Sequence, residues 1–375
     1  MAPAQAVQTC PDQQAPPAPV DTSERPAPGQ ATPAPLPVPA EPVGGTRMGE
    51  CGVIFPSAAA APPDTTAASW VVQDIDTGTV VAAKNPHARE RPASLIKTLL
   101  ALVVLDELKP TDVVVPTEED AKQECTCVGI VAGESYTVDQ LLHGLLMHSG
   151  NDVAHAFATA LGGVPVALQK MNARAASLGA LDTRAATPSG LDGPGMSTSA
   201  YDLSLIFHAG MKYPEFANAV ATKTFQFPAQ MGKPAFSIIN DNKLLGVYPG
   251  FLGGKTGFTD DARHTYVGGA EKDGKRLAVV MVRAEQRPTP VVDQASRLLD
   301  YGFGLVKAGA QPVGELVQPA PPATTAQASG VAAAASQAAP SDQDSFGATG
   351  WIITLAVAVL VIAGFVVAHR RRSRN

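Results

Sequence analysis

Runs of valine and other strand-forming residues lie at both ends of the central part of the chain. Residues 70–74 and 79–83 flank the turn-forming stretch 75–78 and predict a β-hairpin. Three later runs predict an antiparallel meander with a glycine-containing turn: 253–259, 264–270 and 276–282. We therefore expect strands from two regions that are far apart in sequence.

Longer apolar runs with helical spacing lie between the two strand regions. The run 94–108 is bounded by Pro92 and Pro110 and predicts a buried helix. Further helices are expected at 137–161 (two helices, interrupted at 148–151), 164–178, 198–211 and 290–306. The last of these is amphipathic and is expected to pack on the sheet. This order of elements predicts an α+β fold whose sheet takes strands from both ends of the domain.

Most of the 33 prolines lie towards the two ends of the chain, outside this mixed block. Residues 11–48 carry few large apolar side chains and predict a semi-extended arm, and residues 310–348 predict a second such stretch. We accordingly divide the chain into five parts. They are an N-terminal arm (1–64), a folded domain (65–308), a linker (309–350), an apolar helix (351–368) and a basic tail (369–375).

The 18 residues 351–368 carry no charge, which is at the lower limit of what crosses a bilayer core of about 30 Å. Arginines follow directly, and positive flanks stay in the cytoplasm. We expect a single-pass membrane protein with a cytoplasmic C-terminus and the domain outside the cell. A buried core helix is the weaker alternative.

The start Met1-Ala2-Pro3 is unlike a signal peptide, whereas Ala4-Gln5-Ala6 resembles a cleavage site, so we expect the true start codon to lie upstream.

A net charge of −6 and the absence of a basic cluster before the tail give no reason to expect a nucleic-acid partner.

Four cysteines allow three disulfide pairings. Cys10–Cys51 is favoured, and a tightly spaced Cys125–Cys127 bridge is the weaker expectation. Because no histidine lies near either pair at zinc-ligand spacing, we expect no metal.

Three short motifs carry the candidate chemistry: Ser94-Leu95-Ile96-Lys97, Ser149-Gly150-Asn151 and Lys255-Thr256-Gly257. A serine hydroxyl is a poor nucleophile and needs an adjacent base. Ser94 and Lys97 share one helix face because they are three residues apart. Lys97 acts as a base only as a neutral amine, and burial together with a second cation, such as Lys255, lowers the pKa of a lysine. A helix N-terminus at Ser94 also directs backbone N–H groups at a developing oxyanion.

These motifs in this order are the signature of penicillin-binding proteins and class A β-lactamases. Over 65–306 the chain resembles the actinobacterial D-alanyl-D-alanine carboxypeptidases, low-molecular-mass penicillin-binding proteins of serine peptidase family S11. The stretches that carry the resemblance are 91–97, 141–152, 187–192 and 253–259. It implies the penicillin-binding-protein/β-lactamase-like transpeptidase fold, with an antiparallel sheet and a helical domain. It implies no cofactor.

The resemblance also implies residue roles. Ser94 attacks the carbonyl between the two terminal D-alanines of a peptidoglycan stem pentapeptide, and Lys97 takes its proton. Ser149 and Asn151 relay protons and hold the substrate. Substrate binding falls to Lys255, Thr256, Gly257 and the backbone of Phe258, which forms the oxyanion hole with the Ser94 N–H. Water then hydrolyses the acyl-enzyme, and β-lactams trap the same serine.

Two other classes of protein fit the motifs less well. A class A β-lactamase deacylates through a glutamate after the second motif, and between Asn151 and Lys255 the only glutamate is Glu215. A catalytically silent wall scaffold is the other alternative, although all the motif side chains are present.

The resemblance also implies an arginine near the end of the domain that binds the terminal carboxylate of the substrate. Arg283 and Arg287 are both candidates for it, and an exposed strand-end charge is an equally good interpretation of each.

Overall fold

The computed structural model describes residues 10–317 except Cys125 and Lys233. Its strands, in chain order, are β1 (Val53–Ile54), β2 (Ser69–Asp74), β3 (Thr79–Lys84), β4 (Val113–Val114), β5 (Tyr136–Thr137), β6 (Thr224–Phe227), β7 (Phe236–Ile239), β8 (Phe251–Thr259), β9 (Arg263–Lys272), β10 (Lys275–Ala284) and β11 (Gly314–Glu315). Its helices are α1 (Ile96–Glu107), α2 (Glu118–Ala121), α3 (Val138–Met147), α4 (Asn151–Ala160), α5 (Val164–Leu178), α6 (Ala200–Gly210), α7 (Pro214–Ala221) and α8 (Val291–Lys307).

One antiparallel sheet of seven strands joins the two strand-rich regions of the sequence. The strand order is β1-β3-β2-β10-β9-β8, and β11 also pairs with β3. The predicted hairpin (β2–β3) and the predicted meander (β8–β10) are both confirmed. They meet where β2 pairs with β10, with Val72 opposite Val279. The predicted α+β fold with a sheet from both ends of the domain is therefore confirmed.

Both faces of the central strands are buried. Because successive side chains point to opposite faces, Val71 of β2 and Val280 of β10 belong to a core shared with the helices α1 and α3–α7. Trp70 and Val72 face the other way, into a second core that α8 covers. Strands buried on both faces contain nearly continuous apolar runs, which explains the valine-rich sequences of β2 and β10.

The longest helices lie where the apolar spacing predicted them. Helix α5 occupies the predicted 164–178, begins with Pro165 in its first turn and ends at Gly179, whose φ of 82° is left-handed. The helix expected from Ser94 begins instead with a 3-10 turn, Ala93–Leu95, and becomes α-helical at Ile96. Short elements were not predicted: α2, α7, β1, β4–β7 and β11.

The N-terminal segment 10–50 is extended and almost without regular structure, but it is packed against the domain. A disulfide joins Cys10 to Cys51 across 41 positions, as predicted. The sequence predicted a semi-extended arm that is not ordered by its own packing, because the segment lacks large apolar side chains. In the structure, side chains of the domain bind the segment's backbone instead.

Arg89 is the main anchor of this segment. Its side chain is 1% exposed, and its guanidinium donates hydrogen bonds to the carbonyl oxygens of Gln14, Leu36 and Pro37. Its Nε donates to Asp182 Oδ1 over 3.1 Å. One fully buried cation thus satisfies backbone oxygens at two separate places in the segment.

None of the helices in the described part of the chain is long and apolar enough to cross a membrane. The predicted membrane helix 351–368 and basic tail 369–375 lie outside the described residues, as do Met1–Thr9 and most of the predicted linker. Cys125 is also outside them, so the Cys125–Cys127 pairing stays a prediction.

Replacing Arg89 by Leu should lower the free energy of unfolding by about 3–5 kcal/mol, because Asp182 then keeps a buried charge without that partner. Urea denaturation at neutral pH measures it. Lys122→Met is the matched control, since the Lys122–Glu118 pair is about three-quarters exposed on both sides and its loss should change stability by less than about 1 kcal/mol. An equal effect of both variants would contradict the anchoring role of Arg89.

Candidate active site

Ser94 lies on the 3-10 turn that precedes α1, between two glycines that let other backbone segments approach it. A Cβ on Gly190, which has a φ of 87°, would lie 2.0 Å from the carbonyl oxygen of Ala93. A Cβ on Gly257 would lie 2.8 Å from the Ser94 nitrogen. Ala93 itself has a φ of 44°, and a left-handed non-glycine residue stores on the order of 1–3 kcal/mol of strain. The nucleophile turn is therefore held in place from both sides.

Lys97 points back from the first turn of α1 towards Ser94. Its Nζ lies 2.9 Å from Ser94 Oγ and donates hydrogen bonds to Asn151 Oδ1 over 2.7 Å and to the Ser189 carbonyl oxygen over 2.6 Å. The side chain is completely buried. Burial and, secondly, the charge of Lys255 hold the pKa of Lys97 well below its usual range. The first and second motifs therefore meet at this amine.

The second motif forms the junction between α3 and α4. Ser149 is buried and has a φ of 63°. Asn151, the first residue of α4, accepts from Lys97 and donates through Nδ2 to the Glu124 carbonyl oxygen over 2.7 Å. Its backbone N–H also donates to the Thr126 carbonyl oxygen. The amide is thus oriented from both sides, with its oxygen towards the lysine.

Asp152 stabilises the loop beside this junction. Its buried carboxylate accepts hydrogen bonds from the backbone N–H groups of Val128, Gly129 and Ile130 at 3.0, 2.7 and 3.1 Å. Such a set of donors fixes a loop against a helix N-terminus. Asp152 is the last residue of the stretch 141–152 that resembles the family, and no role was predicted for it.

The third motif lies on β8, the last strand of the sheet. Lys255 is 1% exposed, and its Nζ donates to the Thr256 carbonyl oxygen over 2.7 Å. Burial lowers the pKa of Lys255 to about 8, and the nearby Asp241 carboxylate opposes this shift. Gly257 is the point at which β8 contacts the nucleophile turn.

Phe258 lies at the mouth of the site, and the residue is 47% exposed. The ring packs 4.6 Å from that of His264, and the Arg263 guanidinium lies 5.3 Å from its centroid. Because β8 is an edge strand, every second backbone N–H and C=O of this stretch points away from β9. An extended peptide can therefore pair with β8 beside Ser94.

A cavity of about 380 Å³ opens beside Ser94. Its described lining includes Ser94, Asn151 and Phe258, one residue from each predicted motif or its flank. It also includes two residues of the N-terminal segment, Asp21 and Ser23. The cavity is therefore walled partly by the segment that composition predicted to be a semi-extended arm.

The two candidate arginines are not among the described residues that line this cavity. Arg283 donates to Asp12 Oδ2 over 2.9 Å and lies 3.0 Å from Glu90 Oε1, so it binds the N-terminal segment to the domain. Burial raises the pKa of Glu90 to about 7. Arg287 is exposed. From the sequence, a contact with a substrate carboxylate and an exposed strand-end charge were equally good interpretations; in the structure Arg283 instead forms ion pairs with Asp12 and Glu90.

The sequence model of the D-alanyl-D-alanine carboxypeptidases matches residues 56–286, more than half of the chain. The protein belongs to this family. The resemblance stated from the motifs is thereby confirmed. Residues 10–55, with the cavity-lining Asp21 and Ser23, lie outside the matched region.

Relatives agree with this assignment. The chain is 49% identical over 248 residues to the D-alanyl-D-alanine carboxypeptidase DacB2 of Mycobacterium tuberculosis, covering 65% of this chain and 84% of the relative. It is 31% identical to DacF of Bacillus subtilis, covering 63% and 62%. The chain thus spans less than two thirds of the latter protein.

Solved structures show the same fold. A crystal structure of a D-alanyl-D-alanine carboxypeptidase from M. tuberculosis superposes with a TM-score of 0.67 at 45% identity, covering 70% of this chain and 99% of that one. The Streptomyces K15 DD-transpeptidase superposes with a TM-score of 0.62 at 26% identity, covering 66% and 100%. The fold is therefore that of the penicillin-binding-protein-like DD-peptidases.

Two site residues of this family member were missed by the motif analysis. The Ser189 carbonyl binds Lys97, and Asp192 lines the cavity. Burial raises the pKa of Asp192 to about 6, a hydrogen bond with Thr259 opposes the shift, and the Asp261 carboxylate adds to it. The stretch 187–192 was recognised as typical of the family, which is the only signal that pointed to either residue.

Replacing Lys255 by Ala should raise the pKa of Lys97, because a neighbouring positive charge is lost. Since Lys97 must be neutral to accept a proton, the increase of the acylation rate with pH should move to higher pH. We expect acylation by a labelled penicillin to be at least about tenfold slower at neutral pH. The deficit should shrink above about pH 8, where wild-type Lys255 loses its charge.

Lys255→Arg retains the charge and is the matched control for this pH profile. The acylation rate of Lys255→Arg should rise with the same pH midpoint as that of the wild type, even if its maximum rate is lower. Profiles of the Ala and Arg variants with the same midpoint would contradict an electrostatic effect of Lys255 on Lys97.

Proposed function

We propose that the protein is a serine-type D-alanyl-D-alanine carboxypeptidase that removes the terminal D-alanine from peptidoglycan stem pentapeptides. The observation that carries this proposal is the buried Lys97 amine 2.9 Å from Ser94 Oγ, in a chain of the D-alanyl-D-alanine carboxypeptidase family. A serine with a neutral amine at hydrogen-bond distance is an activated acyl acceptor.

Acylation begins when the neutral Lys97 amine takes the proton of Ser94. Its two N–H groups remain bonded to Asn151 and Ser189, so its lone pair is directed at the hydroxyl. Ser94 Oγ then attacks the carbonyl between the two D-alanines. The backbone N–H groups of Ser94 and Phe258 bind the oxyanion, as expected where a helix begins opposite an edge strand.

Collapse of the tetrahedral intermediate breaks the peptide bond and leaves the acyl group on Ser94. The departing D-alanine amine receives the proton that Lys97 took, relayed through Ser149 beside Asn151. A water molecule then gives a proton to Lys97 and attacks the ester carbonyl. As the bond from that carbonyl to Ser94 Oγ breaks, Lys97 returns the proton to Ser94 and the shortened peptide leaves. A β-lactam acylates Ser94 by the same first step, which accounts for penicillin binding.

Lys255, Thr256 and Gly257 form the substrate-binding strand in this scheme. Below about pH 8 Lys255 is a buried cation, and a buried cation is stabilised by an anion. The terminal carboxylate of the peptide supplies that anion. Gly257 keeps β8 close to Ser94. One substrate can therefore place its carboxylate against Lys255 and its reacting carbonyl against Ser94 Oγ.

The β-lactamase alternative gains no support from the position of its required glutamate. Glu215 lies in the first turn of α7, and it is not among the described residues that line the Ser94 cavity. The carboxypeptidase therefore remains the better interpretation.

Ser94→Ala should abolish both the release of D-alanine and labelling by penicillin, and Lys97→Ala should slow turnover by at least about a hundredfold. Mass spectrometry of the products from a purified pentapeptide measures the release of D-alanine, and gel fluorescence measures labelling by penicillin. Thr98→Val, which keeps the branched shape and loses a hydroxyl bonded to the Leu95 carbonyl oxygen, controls for general damage to α1. Undiminished labelling of Ser94→Ala would refute the assignment of the nucleophile.

We further propose that the enzyme is anchored in the cell membrane by residues 351–368, with the domain outside and 369–375 in the cytoplasm. The supporting observations are the uncharged run and its arginine flank. An external domain also suits a peptidoglycan substrate and a disulfide at Cys10–Cys51.

The full chain should therefore sediment with membranes and resist alkaline carbonate washing, whereas a chain ending at residue 350 should not. Peptidase activity of the shortened chain controls for its folding. Recovery of the full chain in the wash would overturn the anchor.

A further inference from the structure

Three carboxylates from separate parts of the chain meet beside the active-site cavity. They belong to Glu24 in the N-terminal segment, Asp192 after Gly190, and Asp261 in the β8–β9 turn. One oxygen from each lies within 4.8 Å of the others. Asp192 also lines the Ser94 cavity, so this cluster adjoins the site but is distinct from the catalytic residues.

The charge of the cluster is only partly compensated. Arg91 pairs with Glu24 through Nε and through Nη2, the latter 2.9 Å from Oε2. One guanidinium thus faces three carboxylates, and the ionised cluster carries a net negative charge. Carboxylates held together away from water need a further cation or a proton to be stable.

Two carboxylate oxygens on these residues lack a hydrogen-bond partner among the described residues, whereas Asp261 Oδ1 accepts a hydrogen bond from the Val20 N–H. Asp261 is only 8% exposed, and its Oδ2 atom has no hydrogen-bond partner among the described residues. Asp192 Oδ1 is likewise buried and without a hydrogen-bond partner within the described part of the chain. Neither oxygen is occupied by Arg91 or by a backbone donor, so both are available as ligands.

From this geometry we infer that Glu24, Asp192 and Asp261 form a binding site for a divalent cation, with Ca²⁺ as the ion that it fits. All three ligands are oxygens, which selects a hard cation over zinc or copper. Ca²⁺ binds oxygen at about 2.3–2.6 Å, so two of its ligands can be up to about 5 Å apart. Mg²⁺, at about 2.0–2.1 Å, demands a near-ideal octahedral geometry and keeps several of its water ligands, whereas Ca²⁺ accepts an irregular set of carboxylates from separate parts of a chain.

The bound ion fastens the N-terminal segment to the active-site rim. Glu24 lies outside the region that the family shares, whereas Asp192 and Asp261 lie within it. Ser23, next to Glu24, lines the cavity, and Ser189, three residues before Asp192, bonds Lys97. Calcium therefore stabilises one wall of the cavity together with the loop that orients the catalytic amine.

Calcium binding to the full-length protein in detergent, after removal of metals with EDTA, tests this inference by calorimetry and thermal unfolding. We expect one Ca²⁺ per chain, with a dissociation constant in or below the millimolar range of extracellular sites. Saturating Ca²⁺ should raise the melting temperature by about 3 °C or more, and equimolar Mg²⁺ should raise it less.

Asp261→Asn should weaken Ca²⁺ binding at least tenfold, and the matched variant Asp260→Asn should leave it within twofold, since Asp260 is the adjacent carboxylate outside the cluster. In wild type, Ca²⁺ should also slow amide hydrogen exchange around residues 20–26 severalfold, and it should not do so in Asp261→Asn. The inference is overturned if wild type binds no Ca²⁺, if both variants bind alike, or if exchange in this segment is indifferent to Ca²⁺. None of these outcomes depends on peptidase activity.

Discussion

The amine of Lys97 is completely buried, and its three hydrogen-bond partners are uncharged: a hydroxyl, a side-chain amide oxygen and a backbone carbonyl. A carboxylate in any of these positions would have favoured the ammonium form and removed the base. Neutral acceptors satisfy the N–H groups and stabilise the ammonium form less than a carboxylate would. Burial, and secondly the charge of Lys255, hold the pKa of Lys97 low. The reactivity of Ser94 therefore depends on how completely the fold excludes water and anions from this one atom.

Much of the surrounding structure serves that exclusion. Helix α1 is buried from Ile96 to Val104 because the helices α3–α6 pack around it. Asp152, the carboxylate nearest to the second motif in sequence, is instead occupied by three backbone N–H groups of the adjacent loop. Gly190 and Gly257 bring backbone rather than side chains against the nucleophile turn. These contacts come from parts of the chain that only the folded domain brings together.

The sequence was informative wherever a local pattern decides the structure. Helix α5 was predicted to the residue because glycine and proline mark both of its ends, and the motif side chains that meet at Lys97 were all named. The Ser189 contact was not predictable, since a carbonyl oxygen carries no side-chain signal. Nor was the docking of the N-terminal segment, because Arg89 binds backbone atoms 52 to 75 positions away. Composition indicates how much apolar surface a segment can bury by itself. It does not indicate which side chains in the rest of the chain will bind that segment.

The Cys10–Cys51 disulfide has a consequence for proteolysis. The 41-position loop that it closes is proline-rich and largely exposed, which makes it accessible to proteases. A single cut within that loop opens it but releases neither half, because one half remains attached through the sulfur–sulfur bond and the other through the main chain. A nicked enzyme therefore keeps Glu24 tethered near Arg91, and only a second cut, or reduction of the disulfide, frees part of the cavity wall.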